Sequence, residues 1–450
     1  MTIKEKTFWL DTVEIPQPAQ REFPDRVDVV VIGAGFTGLS AARTLAKSGT
    51  SVAVFDSQTV GWGASSRNGG MVLTGLKLPA ATLIARYGKE ATARMYQASL
   101  ESIDCVEQLV REEQIACDFA RCGHLEVACK PKHFDDFRRS AEATAREFGH
   151  QQRLVPKEQL QSEIGSDIYH GGLVDDSSAG LNPARYVAGL ARAAERAGAA
   201  IFEHARVEEI QREGARGWRI ATPRGTLRAA DVLVATSGYT SRVTPLLQKK
   251  IIPIGSYIIV TEVLPEKLAA ELSPRNRMIY DSKNYLYYYR LTPDRRMLFG
   301  GRAAFFPETA STIRRSADLL RQGMLKVYPQ LQNTNLEYVW GGTLDFAFDV
   351  MPHAGQLDGL YFSLGYAGHG VAMSTYLGEK IAQSILQGHC ENRTREESPS
   401  RDASRNDSPS RDANPFAAIP FPGAPLGLYN GRPWFLPLAG AWYKLLDWLT

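Results

Sequence analysis

Near its start the chain runs from Val27-Asp28-Val29-Val30-Val31-Ile32 straight into Gly33-Ala34-Gly35-Phe36-Thr37-Gly38. The first segment, rich in β-branched residues, reads as a buried parallel strand. Leu39, Ala42, Leu45 and Ala46 then recur at helical spacing as far as Gly49, and Ser51-Val52-Ala53-Val54-Phe55 forms a second apolar strand that ends in Asp56 and Ser57. A G-x-G-x-x-G on its own is a weak signal. Set between strand and helix, with an acidic residue 18 positions after Gly38 (56 − 38), it becomes a strong one. Gly33 allows the tight turn, Gly35 lets backbone N–H groups approach a pyrophosphate, and Gly38 permits close packing of the helix. Asp56 can accept hydrogen bonds from an adenosine ribose, and its charge argues against a 2′-phosphate.

Composition removes other classes. Lys and Arg number 52 against 49 Asp and Glu in 450 residues, a net +3, with 44% hydrophobic and 22% charged residues. These are the proportions of a folded globular protein of about two or three domains, not of a fibrous or wholly disordered chain. Nothing in so even a balance suggests the concentrated basic face that nucleic acid requires. The five cysteines, Cys105, Cys117, Cys122, Cys129 and Cys390, are odd in number and include no C-x-x-C pair. We expect free thiols in a reducing cytoplasm, with neither a disulfide framework nor a metal site. Charges and prolines between Met1 and Arg26 leave no apolar run for a signal peptide.

From Leu76 to about Ile168 the pattern changes to helices rich in Ala, Glu and Arg, such as Glu90–Glu113, broken by a strand-like His124–Ala128. This has the look of an insertion. A helix from Asn182-Pro183 to Ala197, a strand at Gly198–Phe202 and a buried strand from Asp231 ending in Thr236-Ser237-Gly238 return to the opening pattern, the small residues suiting close approach of a cofactor. Ile251–Val263, Tyr285–Leu291 and Met297–Ala303 predict antiparallel strands, the last two joined as a hairpin by Thr292-Pro293-Asp294-Arg295. A helix follows over Ile313–Tyr328. At the far end, Leu360–Leu364, Gly365–Gly370 and a helix from Val371 to about Leu386 repeat the order strand, glycine turn, helix.

Together, the motifs predict an α/β fold: a Rossmann-like cofactor domain, gripped by chain from both ends, with an inserted α+β substrate domain built on an antiparallel sheet. The expected boundaries are 27–75, 171–243 and 341–390 for the cofactor domain and 76–170 and 244–340 for the substrate domain. Residues 391–414, polar and carrying Ser-Pro-Ser-Arg-Asp-Ala twice, read as a disordered linker. The apolar, aromatic tail 415–450 is too short and too charged to span a membrane; Leu438, Trp442, Leu445 and Leu449 share a helical face that either docks on the protein or lies in a membrane interface.

Val27–Asp56, the run Gly61-Trp62-Gly63-Ala64-Ser65-Ser66-Arg67-Asn68-Gly69-Gly70-Met71, and Gly365–Gly370 together resemble the FAD-dependent D-amino acid oxidase superfamily. Phe8-Trp9-Leu10, the Ala-Ser-Ser-Arg-Asn-Gly-Gly run and Gly-Tyr-Ala-Gly-His-Gly-Val resemble its γ-glutamylputrescine oxidase branch; the Ser-Pro-Ser-Arg-Asp repeats do not. The resemblance covers about Val27 to Gln387. It implies that FAD is the cofactor and that Gly61–Gly70 passes beneath its pyrophosphate and ring. The cofactor contacts it points to are Gly33, Ala34, Gly35, Phe36, Thr37, Gly38, Asp56, Ser57, Gly63, Ala64, Ser65, Arg67, Asn68, Gly69 and Gly70. To these it adds Val207 at the adenine, Thr236 and Gly238, then Gly368, His369, Gly370 and Val371. A helix starting at the last four directs N–H groups and its positive end at the edge of the flavin that becomes anionic on reduction.

For the substrate, the resemblance points to the strand pair over the flavin. Arg290, and second Arg302, are positioned as bidentate clamps for a carboxylate, or as members of structural salt bridges. Tyr257 and Tyr289 are candidate walls, and His369 a flavin contact or a helix cap. The implied reaction is oxidation of an amine or amino-acid C–N bond by hydride transfer to flavin N5, with hydrolysis of the imine and reoxidation by O2 to H2O2. Two rivals stay open: a membrane-associated amino acid dehydrogenase that passes electrons to a quinone, with the tail touching the inner face of the membrane, and a non-catalytic FAD-binding partner protein.

Overall fold

The computed structural model describes residues 3–214, 217–301, 310–397 and 414–449. Two eight-stranded sheets organise it. In the first, the strand Arg26–Ile32 lies parallel between Val52–Phe55 and Gly225–Val234, with Ala200–Phe202 beyond the former and Leu360–Leu364 beyond the latter. Val29, Val30 and Val31 are wholly buried, as a strand covered on both faces requires. The helices Phe36–Lys47, Pro183–Ala197 and Gly370–Glu397 cover one face, sharing a core that includes Leu39, Leu45, Tyr186, Val187, Leu190, Ile381 and Ile385.

The second sheet runs Leu336–Ala347, Ile251–Val263, Arg296–Gly301, Tyr287–Leu291, Met278–Asp281, His124–Val127, Gly171–Asp175, Arg153–Pro156. It is antiparallel except where His124–Val127 meets Met278–Asp281. The predicted hairpin forms, with Tyr288 opposite Gly300 and a turn closed by Arg295 N–H to the Thr292 carbonyl, 2.8 Å. Helix Ala310–Val327 packs its apolar face on this sheet through Ala317, Leu320 and Met324.

Three boundaries differ from the sequence reading. Strand Gly171–Asp175 and the first residues of the expected last cofactor segment, Gly341–Ala347, belong by pairing to the second sheet. The C-terminal helix runs to Glu397, past the expected start of the linker at Glu391, because Glu and Arg favour extension of a helix whose earlier turns are anchored by packing. The duplicated hexapeptides fall in 398–413, outside the described residues. Helix Leu436–Leu449 docks through Leu436, buried against Ile252, Ile254 and Phe346, and through Asp447, whose carboxylate accepts from the Asn284 and Tyr285 N–H groups at 2.7 and 2.9 Å. Its Leu438, Trp442 and Leu445 nevertheless stay exposed. No described helix is long and apolar enough to cross a membrane.

Candidate active site

Where the parallel strands of the first sheet end, their turns line a cleft of about 380 Å³ that extends from Arg206 and Val207 past Gly33–Thr37 and Asp56–Gln58 to Gly368, Gly370 and Val371. Gly33 holds φ +110°, a conformation costly for any residue with a Cβ. A Cβ on Gly38 would lie 1.9 Å from the Gly33 carbonyl oxygen, so the helix can sit this close to the turn only with glycine there. Asp56 is fixed across the motif: its Oδ2 accepts from Ala34 N–H and its Oδ1 from Gln58 N–H, both 2.8 Å. Burial pushes its carboxyl above the usual range, against the pull of those two donors.

The two ends of the chain meet at Tyr366, whose hydroxyl lies 2.7 Å from Thr37 Oγ1 and 2.8 Å from Ser363 Oγ. The run Gly61–Gly70, part of which lines the cleft, is held by side chains from elsewhere. Trp9 Nε1 donates to the Asn68 carbonyl and Trp340 Nε1 to the Arg67 carbonyl, both at 2.9 Å, and Thr7 Oγ1 donates to the Ser66 carbonyl at 3.1 Å. The N-terminal Phe8-Trp9 is therefore a buried clamp on the glycine-rich run.

Ala64, Asn68, Leu344, Gly368 and Val371 line both this cleft and a second cavity of about 130 Å³. Its other walls include Arg67, Lys77, Ser256, Tyr280, Tyr288 and His369 together with apolar Met71, Leu73, Leu286 and Phe346. Tyr288 lies between Gly69 and Gly300, where added Cβ atoms would come within 3.2 and 2.3 Å of its ring, and its hydroxyl is 3.1 Å from Ser256 Oγ. Burial lowers the His369 imidazole to about 3, leaving it uncharged at neutral pH. His369 Nδ1 and, at the cleft, Ser374 Oγ are buried with no protein partner.

Most expected cofactor residues come together: Gly33, Ala34, Gly35, Phe36, Thr37, Asp56, Ser57, Gly63, Ala64, Ser65, Asn68, Val207, Thr236, Gly368, Gly370 and Val371 line the cleft. Gly38, Gly70 and Gly238 stand behind it as spacers; at Gly70 and Gly238 a Cβ would meet the Leu181 and Leu344 carbonyls. Arg67, Gly69 and His369 line the second cavity instead. The cleft suits FAD: a glycine turn at a helix start for the pyrophosphate, an oriented carboxylate for the ribose, and two orphaned polar atoms where the cleft nears the second cavity.

Most of the expected substrate residues stand elsewhere. Arg290 is buried, and its Nη1 donates to the Gly70 and Leu181 carbonyls at 3.1 and 3.0 Å. That ties the hairpin to the cofactor loop and keeps the guanidinium off both cavity walls. Tyr257 and Tyr289 lie in the apolar core on the other face of the sheet, with Tyr289 stacked 5.2 Å from Phe299 and donating to Tyr169 Oη. Arg302 lies outside the described residues. Lys77, Ser256, Tyr280 and Tyr288 were missed. Strand alternation carries a signal for Tyr288, since it lies on the opposite face of its strand from Tyr289; nothing in the local sequence marks Lys77.

Comparison with known proteins agrees with this geometry. The profile of the family described as FAD dependent oxidoreductase matches residues 28–384. A probable oxidoreductase OrdL of Haemophilus influenzae is 35% identical over 370 residues, covering 80% of this chain and 83% of its own. The γ-glutamylputrescine oxidoreductase of Escherichia coli is 33% identical over 366 residues, covering 81% and 84%. Among solved structures, glycine oxidase from Geobacillus kaustophilus superposes with a TM-score of 0.67 at 20% identity, over 81% of this chain and 95% of its own. An L-proline dehydrogenase from P. horikoshii gives 0.67 at 21%, with the same coverage.

Proposed function

This chain belongs to the FAD-dependent oxidoreductase family, and from that premise we propose that it oxidises the C–N bond of a small amine bearing a carboxylate, of the γ-glutamylputrescine type. One observation carries the reading: the cofactor cleft shares walls with a cavity that is apolar at Met71, Leu73, Leu286 and Phe346 and polar at Arg67, Lys77, Ser256, Tyr280 and Tyr288. Such a cavity can hold an aliphatic amine by its stem and its ends. FAD held in the cleft would supply the two-electron hydride acceptor, with dioxygen as the final acceptor that is reduced to peroxide.

The protein's part is binding and orientation. Lys77 brings an ammonium to the cavity wall, where a substrate carboxylate can pair with it. The rings of Tyr288 and Tyr280 and the side chains of Leu286 and Phe346 confine the carbon chain. The uncharged His369 adds no cation to repel the amine. Gly370 and Val371, opening the helix that ends at Glu397, aim unpaired N–H groups and the positive end of its dipole at the cleft.

Incubation of the holoprotein with γ-glutamylputrescine in air tests this reading. The expected products are an aldehyde, trapped by a hydrazine reagent, and one peroxide per aldehyde. Neither product from that substrate or from glycine, sarcosine, dimethylglycine and L-proline overturns it. Aldehyde without peroxide replaces dioxygen by another acceptor.

A further inference from the structure

The amine just proposed enters at neutral pH as an ammonium ion, and an ammonium nitrogen has no lone pair with which to expel a hydride from the neighbouring carbon. A proton must leave first. The cavity wall offers one polar path for it. Tyr280 lines the cavity, and its hydroxyl lies 3.2 Å from His124 Nε2. His124 Nδ1 lies 2.8 Å from Ser178 Oγ, Ser178 Oγ 3.4 Å from Thr74 Oγ1, and Thr74 Oγ1 2.7 Å from Asp175 Oδ2. His150 Nε2 meets the same carboxylate oxygen at 2.7 Å and Gln152 Nε2 at 3.2 Å. Gln151 and Arg153, next in the chain, are exposed.

We propose that Tyr280, His124, Ser178, Thr74 and Asp175 form a proton relay that carries the substrate's ammonium proton from the cavity to the His150 edge of the protein. The inference rests on the amine-oxidising reading above. In one passage the ammonium gives a proton to Tyr280 Oη as the tyrosine proton moves to His124 Nε2. The Nδ1 proton moves to Ser178 Oγ, the serine proton to Thr74 Oγ1 and the threonine proton to Asp175 Oδ2. The amine becomes neutral, one proton has reached Asp175, and every group between has gained one and lost one. No electrons move. The proton then leaves the buried Asp175 by way of His150, which meets the same carboxylate oxygen at 2.7 Å and adjoins the exposed Gln151, and passes to solvent there, restoring the carboxylate.

The groups around the path suit transit. Burial lowers His124 to about 4, despite the attraction of Asp175, with His150 and Arg277 adding to the lowering and Asp176 opposing it. Asp175 is held well below the usual carboxylate range by its bonds from His150 and Thr74 and the charges of both histidines, which outweigh its burial. A proton therefore rests on neither. Tyr280 faces Glu126 and Asp175, and burial together with those two charges holds its hydroxyl in the protonated form. Burial raises Glu126 to about 7, with Asp281 adding to the rise and Lys77, also on the cavity wall, opposing it. The sequence distributes these residues over four separated segments, so only the fold brings them into line.

The test is the pH dependence of anaerobic flavin bleaching by γ-glutamylputrescine in holoprotein carrying Tyr280→Phe or Ser178→Ala. Ser178 touches neither cavity, so its variant interrupts the path without altering the substrate's surroundings. At pH 7 each variant should bleach slower than the parent by about tenfold or more, the usual scale for a positioned proton acceptor. At about pH 10.4, where such an amine is half neutral, each should come within about twofold of the parent; that parity also shows that the fold and FAD are retained. Histidine 15N NMR of the parent gives a second readout: His124 should carry its proton on Nδ1. Equal slowing at all pH values, no slowing, or a proton resident on Nε2 overturns the relay. A parent that no amine bleaches overturns the functional reading and the relay with it.

Discussion

The two cavities of this protein are built from different parts of the chain. The cofactor cleft is made mainly of backbone: glycine turns, two helix starts and one carboxylate pinned by two N–H groups. Its neighbour is made of side chains that project from strands and from the Gly61–Lys77 segment. Backbone-built sites demand particular residues at fixed spacing, because only glycine tolerates φ +110° at position 33 or an oxygen 1.9 Å from a Cβ at position 38. A side-chain wall accepts many residues at each position, provided each faces inward. The first kind of site is written locally in a sequence, and the second only in the pairing of distant strands.

Substitutions can break that contrast, starting with the largest effect. Gly38→Ala should cost about 1–3 kcal/mol or more by overpacking and yield protein without FAD, read from the ratio of visible to ultraviolet absorption. Retention of normal FAD content would mean that the glycine turn is not what shapes the cleft. Asp56→Ala removes the acceptor for the ribose and also frees the Ala34 and Gln58 N–H groups. FAD should dissociate about 10–100-fold more readily, from about 1.5–3 kcal/mol for hydrogen bonds to a charged group, as measured by ultrafiltration.

Arg290→Met and Lys77→Met then separate scaffold from pocket. Losing Arg290 removes a buried donor from the Leu181 carbonyl, at about 1–3 kcal/mol for a group left unsatisfied, while the Gly70 carbonyl keeps the Leu181 N–H at 2.9 Å. The melting temperature should fall by several degrees. Had Arg290 held the substrate, KM would rise at unchanged stability. Lys77→Met should act on the substrate instead, raising KM for γ-glutamylputrescine about tenfold or more while FAD content stays put.

The smallest effect is on stability against pH. His124 titrates near 4 and His369 near 3 in the folded protein, against an ordinary value of 6.5. A folded value below the unfolded one means that the neutral histidine contributes stability in full above about pH 6.5, and that this is lost as pH falls towards 4. Urea midpoints should therefore be level from pH 7 to 8 and decline below 6.5, and His124→Gln should flatten the decline. Asp175, also depressed, adds its own loss only below its ordinary value of 3.8.

Much of the fold was legible because its signals are local. The β-branched strand at Val27, the glycines after it, Asp56, the Thr292–Arg295 turn and the second glycine turn at Gly365 each specify a conformation within a few residues. Arg290 and Tyr289 show where legibility stops. Both are the residue types a substrate pocket uses, yet Tyr289 turns to the core and Arg290 to two backbone carbonyls, and only the pairing of the hairpin with Gly70 and Leu181 decides that. Lys77 enters the cavity from a segment with no motif at all. The end of the long helix was misread for the opposite reason. Polar sequence cannot form a core, but Glu391–Glu397 needs none to prolong a helix already seated at Ile381 and Ile385.

The cleft and the cavity beside it are proposed to form a single working site. Anaerobic titration of the holoprotein with γ-glutamylputrescine measures this directly through the visible band of the flavin. The band should bleach fully at about one substrate per FAD and return when air is admitted. Bound FAD whose spectrum stays unchanged at saturating amine, with γ-glutamylputrescine and the smaller amino acids alike, would contradict it.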